Sequence, residues 1–255
     1  MGQHLNYKKT LFACSLVLVA QAGLAADPAA LAAPKPRGNP EVSCLIQPSL
    51  EINVGTPVDG VIETVSVDRG DIVAPGQLLA KLNSGVEAAA VETQSAKADF
   101  GARKRQRNEE LQRKQLISTQ ELDELSTDMQ MAELELRERR ERLKLRAIHS
   151  PIRGVIVDVY RQRGDLVKQE KIFRIAQLDP LYVETILPSR MFGKIRAGQV
   201  FDVTPELGST SQKAKVGQVD RVIDAASGTF RVRLLLPNSR YELPSGQRCA
   251  INFQL

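Results

Sequence analysis

The residue types that most often carry out chemistry are scarce in this sequence and lie far apart. The 255 residues include 2 histidines and 3 cysteines, and His149 is the single histidine beyond the N-terminal region. A zinc or copper site needs three or four clustered ligands, which one histidine and distant cysteines do not supply. The acidic pair Glu109-Glu110 lies in a helix-forming stretch, where carboxylates usually face water. We therefore predict that the chain is not an enzyme and has no metal or cofactor.

Composition and motifs narrow the function further. Aromatic residues make up 4% of the chain and there is no tryptophan, so a ring-lined site for a sugar, nucleobase or flavin is not expected. The sequence also contains no nucleophile-elbow, zinc-protease or phosphate-loop motif. These observations favour a structural or binding role.

The N-terminal region has the layout of an export signal. Lys8 and Lys9 precede the apolar run 11–25, which ends in small residues. The run is shorter than the roughly 20 residues that span a bilayer, so we predict a signal peptide at 1–25, with an uncleaved anchor as the alternative. Residues 26–40 are rich in Pro and Ala and are predicted to form a flexible leader. An exported chain with a modest net charge of +5 is not expected to bind nucleic acid.

A seventeen-residue stretch occurs twice and defines the elements that follow. PVDGVIETVSVDRGDIV, from Pro57, returns 94 positions later as PIRGVIVDVYRQRGDLV, with nine identical positions. Each copy is rich in β-branched residues and then reaches Arg-Gly-Asp, which is typical of short strands joined by a turn. A unit of this size cannot bury a core alone, so two halves, at 55–84 and 148–178, are predicted to pack face to face as a β-sandwich. Four glycines are predicted as turn positions of the halves: Gly60, Gly70, Gly154 and Gly164.

The segment between the halves, 85–147, is predicted to be an antiparallel helical hairpin. It has no proline and is rich in strong helix formers. Ser118 is a good N-cap with Glu121 three residues later, so the second helix is expected to begin there. Each arm would have roughly 28 residues and a length of about 42 Å. The second arm carries an a/d heptad seam that is broken by one arginine: Leu122, Leu125, Met129, Ala132, Leu136, Arg139 and Leu143.

The P-x-x-G-x-(V/I)…G-D-x-V pattern of each half resembles that of biotinyl and lipoyl carrier domains, which are flattened barrels of two such halves. Carriers present a modified lysine on the hairpin between the halves, and here the long insert takes that place. Lys81 is the nearest lysine, but it lies within a strand pattern, so a carrier function is not predicted. A helical hairpin between such halves resembles one family in particular: the periplasmic adaptors, or membrane fusion proteins, of tripartite efflux pumps and type I secretion systems (HlyD-like).

The tip of the predicted hairpin strengthens this resemblance. Efflux adaptors carry Arg-x3-Leu-x6-Ser around the turn where they meet the outer-membrane channel, and RNEELQRKQLIS places Arg107, Leu111 and Ser118 at that spacing. The resemblance implies that these three residues contact the channel. The alternative is that Arg107 is a solvated charge and Ser118 only a helix cap.

The resemblance also implies partners and location. It implies a periplasmic, non-catalytic coupler that bridges an inner-membrane transporter, of RND or ABC type, and an outer-membrane channel. It further implies a homo-oligomeric ring, a trimer or a hexamer. The alternative is a periplasmic ligand- or metal-binding module that has the same fold and makes no channel contact.

The last third, 179–255, is predicted to form a small β-barrel. The segment 41–54 supplies a sixth strand, and six strands are enough to close a barrel. If the first and last strands are neighbours, Cys44 and Cys249 lie close to each other. In an oxidising compartment they could form a disulfide, and the alternative is that both remain buried free thiols. The other strand patterns lie at 181–187, 199–203, 213–222, 229–236 and 248–254, with a short helix at 188–195.

The predicted fold class is therefore α+β and mostly β. A lipoyl-like β-sandwich is split by an α-helical coiled-coil hairpin and is followed by a small β-barrel.

Overall fold

The computed structural model describes residues 42–208 and 210–253. The signal peptide and leader predicted at 1–40 lie outside the described residues. Two long helices interrupt a series of strands. The elements are β1 (Val42–Gly55), β2 (Gly60–Val65), β3 (Ile72–Val73), β4 (Leu78–Leu82), α1 (Gly85–Arg113), α2 (Thr119–Lys144), β5 (Ala147–His149), β6 (Gly154–Val159), β7 (Leu166–Val167), β8 (Lys171–Pro188), a 3₁₀ turn (Ser189–Met191), β9 (Val200–Pro205), β10 (Gln212–Val219), β11 (Thr229–Leu236) and β12 (Arg248–Asn252).

The two copies of the repeated stretch build one domain by exchanging their short strands. Strand β2 of the first copy pairs with β7 of the second, and β3 pairs with β6. Backbone hydrogen bonds recur at the repeat offset: the N–H of Ile62 donates to Asp165 O, and that of Ile156 donates to Asp71 O, both at 2.9 Å. The two halves are therefore related by an internal pseudo-two-fold axis, and each completes the other's sheet. We call this unit the two-half domain.

The four glycines of the repeat fall into two structural classes. Gly70 and Gly164 occupy turns with φ of 96° and 94°, which only glycine adopts without strain. Gly60 and Gly154 were also predicted as turn positions, and this is wrong: they are the first residues of β2 and β6. Gly154 is needed for close approach, because a Cβ there would lie 2.5 Å from the carbonyl oxygen of Ala176.

Each copy of the repeat is also preceded by a small polar residue, whose hydroxyl donates to a backbone carbonyl at the start of the copy. The Thr56 hydroxyl donates to the carbonyl of Val58 at 2.9 Å, and the Ser150 hydroxyl donates to that of Ile152 at 2.7 Å. Both hydroxyl-bearing residues are buried. The hydrogen bonds satisfy polar groups that would otherwise be costly to bury. The repeat therefore starts one residue before the matched sequence stretch.

The last third closes a six-stranded barrel, as predicted. The strand order is β1-β12-β9-β10-β11-β8, and β8 pairs back to β1. Its core includes Ile46, Leu234 and Ile251, which are fully buried. The helix predicted at 188–195 is shorter, a 3₁₀ turn followed by a bend in which Gly193 has φ of 82°. The observed barrel and hairpin confirm the predicted fold class.

One long ribbon joins the two-half domain to the barrel. Strands β1 and β8 pair from Cys44 opposite Thr185 to Gly55 opposite Lys171. Strand β8 runs through the expected domain boundary at residue 178, so the two-half domain and the barrel share this strand. Pro180, which cannot donate to a ladder, lies where the pairing register shifts, and a missing donor is tolerated there.

The same ribbon corrects the prediction for residues 41–54. The prediction placed the whole segment in the barrel, but its second part, from residue 50 onward, pairs with the portion of β8 that belongs to the two-half domain. Arg174 of β8 fixes this end, since it forms an ion pair with Glu51 of β1 at 3.1 Å and another with Asp158 of β6.

Candidate functional site at the helical hairpin

The hairpin consists of two packed antiparallel helices. Ala98 of α1 and Ala132 and Leu136 of α2 are buried between them, with Val91 packed against this cluster. Leu122, Leu125, Met129 and Leu143 are partly buried, and Arg139 is exposed. The predicted seam of the second arm is thus the packed face. No helix among the described residues has a stretch long and apolar enough to cross a bilayer.

Polar contacts fix the register of the helices halfway along the hairpin. Gln94 donates to Ala132 O at 3.3 Å and to the Glu135 carboxylate at 2.7 Å, and Lys97 binds the same carboxylate at 2.9 Å. The hydrogen bond and charge of Lys97 lower the pKa of Glu135 below its usual value. The carboxylate is therefore held ionised as a clamp between the arms.

The turn at the tip has a defined backbone. Helix α1 ends at Arg113, Gln115 has φ of 59°, and the N–H of Leu116 donates to Leu111 O at 2.9 Å. Helix α2 then begins after Ser118, whose Oγ accepts from the N–H of Glu121 at 3.1 Å. This is the helix cap expected from the sequence.

The structure places the three predicted channel-contact residues close to this turn. Arg107 and Leu111 are one helical turn apart at the end of α1, and Ser118 caps α2. All three are exposed, with Leu111 at 38%. Leu116, which the pattern does not include, is 68% exposed at the same turn. The tip therefore presents two leucines to solvent beside cationic groups.

The positively charged side chains near the tip lie mainly on α1. The basic run includes Arg103, Lys104, Arg105 and Arg107, of which Arg105 pairs with Glu109 at 3.2 Å. Arg107 makes no ion pair with another residue of the described chain. Its guanidinium is thus free to donate to an external carboxylate or carbonyl.

The base of the hairpin is held by a residue that the sequence analysis missed. Arg146 follows α2 and binds Glu87 in the first turn of α1 at 2.5 Å, with both side chains only about one-fifth exposed at 21% and 22%. Its other nitrogen donates to the carbonyl of Asp59 at 2.7 Å. The available signal was topological, because an antiparallel hairpin must bring the start of one helix beside the end of the other.

The two cysteines meet at the seam of the barrel. Cys44 of β1 lies opposite Cys249 of β12 in the strand register, with their Cα atoms 4.8 Å apart and their Sγ atoms joined in a disulfide. Within the described ranges, no three His, Cys, Asp or Glu side chains are grouped so that they could hold a metal ion.

Comparison with known families identifies the domain that carries the hairpin. Residues 51–177 match the family described as "CzcB-like, barrel-sandwich hybrid domain". This range contains both halves and the complete hairpin. No curated protein sequence matches the chain.

Solved structures share the fold at low sequence identity. A MacA–MexA chimera that contains the Pseudomonas aeruginosa MexA α-hairpin is 21% identical with a TM-score of 0.71, covering 84% of this chain and 77% of the other. The membrane fusion protein Spr0693 from Streptococcus pneumoniae R6 is 17% identical with a TM-score of 0.65, covering 83% and 100%. MacA from Actinobacillus actinomycetemcomitans is 21% identical with a TM-score of 0.63, covering 84% and 77%.

The domain match and the shared fold agree with the strand exchange, the hairpin and the barrel described above. The chain therefore contains a CzcB-like barrel-sandwich hybrid domain at residues 51–177 and shares its overall fold with solved membrane fusion proteins.

Proposed function

We propose that this protein is a periplasmic adaptor that bridges an inner-membrane transporter, of RND or ABC type, and an outer-membrane channel in an efflux or secretion system. It acts as a non-catalytic scaffold and coupler. The observation that carries the proposal is the hairpin of 29- and 26-residue helices that projects from the two-half domain and ends in an exposed tip. The chemistry it needs is binding and transmission of movement, and no reacting group is required.

The architecture suits a coupler because the hairpin is fixed at its base. Arg146 ties α1 to α2 and to the two-half domain, and the ribbon of β1 and β8 ties that domain to the barrel. A displacement of the barrel is therefore passed to the hairpin through continuous hydrogen-bonded strands. Copies of the chain would assemble as a ring, a trimer or a hexamer, so that the hairpins together meet one channel.

The tip offers three complementary modes of contact. Leu111 and Leu116 supply apolar surface for a groove between channel helices. Arg107 supplies a guanidinium that can form two parallel hydrogen bonds with a carboxylate. The Oγ of Ser118 already accepts the cap hydrogen bond from Glu121, and its hydroxyl proton remains able to donate to a partner carbonyl.

In-cell photo-crosslinking tests this proposal. A photoreactive amino acid at Lys114 is preferable to one at Gln115, because Lys114 is exposed and has φ of −88°, whereas Gln115 has a left-handed backbone. We expect an adduct with an outer-membrane channel, identified by mass spectrometry. Leu111→Asp should reduce the adduct at least tenfold, because a charge cannot enter an apolar groove without loss of hydration.

Leu134→Asp is the matched control. Leu134 is more exposed than Leu111, at 51%, and lies on α2 away from the tip. The adduct should persist in this variant. If the folded, exported protein gives no channel adduct, or if Leu134→Asp and Leu111→Asp reduce it equally, the proposed tip contact is wrong, and a periplasmic binding module becomes the better description.

A further inference from the structure

A cavity of about 270 Å³ opens at the base of the hairpin, where both helices meet the two-half domain. Four of its lining residues are apolar, namely Val58, Val86, Ala90 and Leu145. Val86 is 81% exposed and Leu145 is 43% exposed, so the apolar rim is open to solvent. The remaining lining residues are three arginines and one glutamate.

The cavity lies at the level of the hairpin where Arg139 interrupts the heptad seam. Further along the hairpin the same seam buries Ala132 and Leu136, but at this level α2 presents an arginine and α1 presents the small side chain of Ala90. An arginine at a seam position usually weakens a coiled coil.

The three guanidinium groups of the lining differ in what they bind. Arg146 is fully engaged with Glu87 and with the carbonyl of Asp59. Arg142 pairs at 2.5 Å with Glu138, which does not line the cavity. Arg139 makes no hydrogen bond or ion pair within the described chain, and the nearby Glu135 carboxylate is already bound by Lys97 and Gln94.

The lining therefore has an excess of positive charge. Its one carboxylate, Glu87, is neutralised by Arg146, and Arg142 is paired with Glu138, which leaves Arg139 as the lining guanidinium without an ion pair in the described chain. Guanidinium groups beside an apolar wall bind molecules that combine an acidic group with an apolar body. A neutral apolar molecule would form no ion pair with the arginines, and a simple inorganic anion would make no contact with the apolar side chains.

We propose that this cavity binds a small amphiphilic anion, with its acidic group on Arg139 and its apolar body against Val86, Ala90 and Leu145. The bound molecule would touch α1, α2 and the start of the first half together. It would thus fill the gap in the seam and stiffen the base of the hairpin. The site is separate from the tip and does not depend on channel contact.

A pair of fluorescent probes tests the charge requirement directly. 8-Anilinonaphthalene-1-sulfonate has a sulfonate on an aromatic body, and N-phenyl-1-naphthylamine is the same ring system without the acid. The protein has no tryptophan that would interfere with either emission. We expect saturable binding of the sulfonate at one site per chain, weakened by salt, and at least tenfold weaker binding of the neutral amine.

Arg139→Leu is the decisive variant. It restores the seam, so the hairpin should fold with equal or greater thermal stability, while affinity for the sulfonate should fall at least tenfold. Arg137→Leu is the matched control, because Arg137 is exposed on the same helix and does not line the cavity. Its affinity for the sulfonate should stay within twofold of the unmodified protein.

Displacement then identifies the ligand class. Release of the bound sulfonate by decanoate assigns the site to acyl-chain acids, and release by 2-naphthoate assigns it to aromatic acids. The proposal is overturned if neither acid displaces the probe, if Arg139→Leu binds it unchanged, or if the neutral amine binds as tightly. None of these results affects the crosslinking experiment, which reports on the tip alone.

Discussion

Gly60 and Gly154 occupy equivalent positions in the two halves but are required for different reasons. A Cβ on Gly154 would lie 2.5 Å from the backbone oxygen of Ala176 on β8. A Cβ on Gly60 would lie 2.8 Å from a terminal nitrogen of Arg146 and 3.3 Å from the Cδ1 of Leu82. A flexible side chain can move away, and a hydrogen-bonded strand cannot.

Substitution of these glycines by alanine should therefore give unequal losses of stability. We expect Gly154→Ala to lower the free energy of unfolding by about 2–3 kcal/mol, because strand β8 must shift. Gly60→Ala should cost about 1 kcal/mol, mostly through displacement of Arg146. Urea denaturation of both variants measures the difference. Equal losses in the free energy of unfolding would show that strand β8 can move as readily as the side chain of Arg146.

The sequence could predict the repeat glycines but not their separate roles. Arg-Gly-Asp is a local turn signal, so Gly70 and Gly164 were placed correctly. Glycine is needed at Gly154 because the backbone of Ala176, more than twenty residues later in the chain, lies against it. No local sequence pattern indicates this contact. The partly buried ion pair of Arg146 escaped the sequence analysis for the same reason, since it depends on how two helix ends meet.

At the level of elements, Arg146 holds the base of the hairpin. It binds Glu87 at the start of α1 and donates to the carbonyl of Asp59 in the first half. Its pair with Glu87 is mostly sheltered from water, unlike the pair of Arg142 with Glu138, whose side chains are 59% and 51% exposed. A sheltered pair that loses one partner leaves the other charge poorly solvated.

Arg146→Met should loosen the base of the hairpin while leaving its packed seam intact. We expect a loss of about 1–3 kcal/mol in unfolding free energy. Amide hydrogen exchange should become faster in the first turn of α1 and the last turn of α2. Arg142→Met removes an exposed pair and should change exchange there little. Similar exchange in the two variants would mean that Arg146 does not anchor the hairpin.

Helices were easier to predict from the sequence than strand pairings. The spacing of apolar residues in α2 and the cap at Ser118 are local signals, and the structure contains both. The sequence did not indicate that one strand, β8, runs through the expected boundary at residue 178, because its course depends on a register shift with β1 near Pro180. Such a shift is set by pairing across more than a hundred residues.

For the molecule as a whole, the barrel seam joins the two ends of the described chain. β1 and β12 are paired there, and Cys44 and Cys249 are bonded across a sequence separation of 205 residues. A cross-link over so long a loop mainly restricts the unfolded chain. We propose that this disulfide is present in the exported protein.

Replacement of both cysteines by alanine should lower the free energy of unfolding by about 4–5 kcal/mol, according to the chain-entropy account. Dithiothreitol should lower the stability of the unmodified protein and leave that of the double variant unchanged. Intact-mass measurement after alkylation without reductant gives the thiol count. Labelling of both Cys44 and Cys249 in native protein would contradict the disulfide.

The seam also sets an order of events during synthesis. Strand β1 leaves the ribosome before any other described strand, yet its barrel edge pairs with β12, the last of the described strands. Its other edge pairs with β8, which begins only at Lys171. The first strand thus remains without either neighbour until the first half and the hairpin have been made, and a factor that holds extended chain should bind this protein at Val42–Gly55.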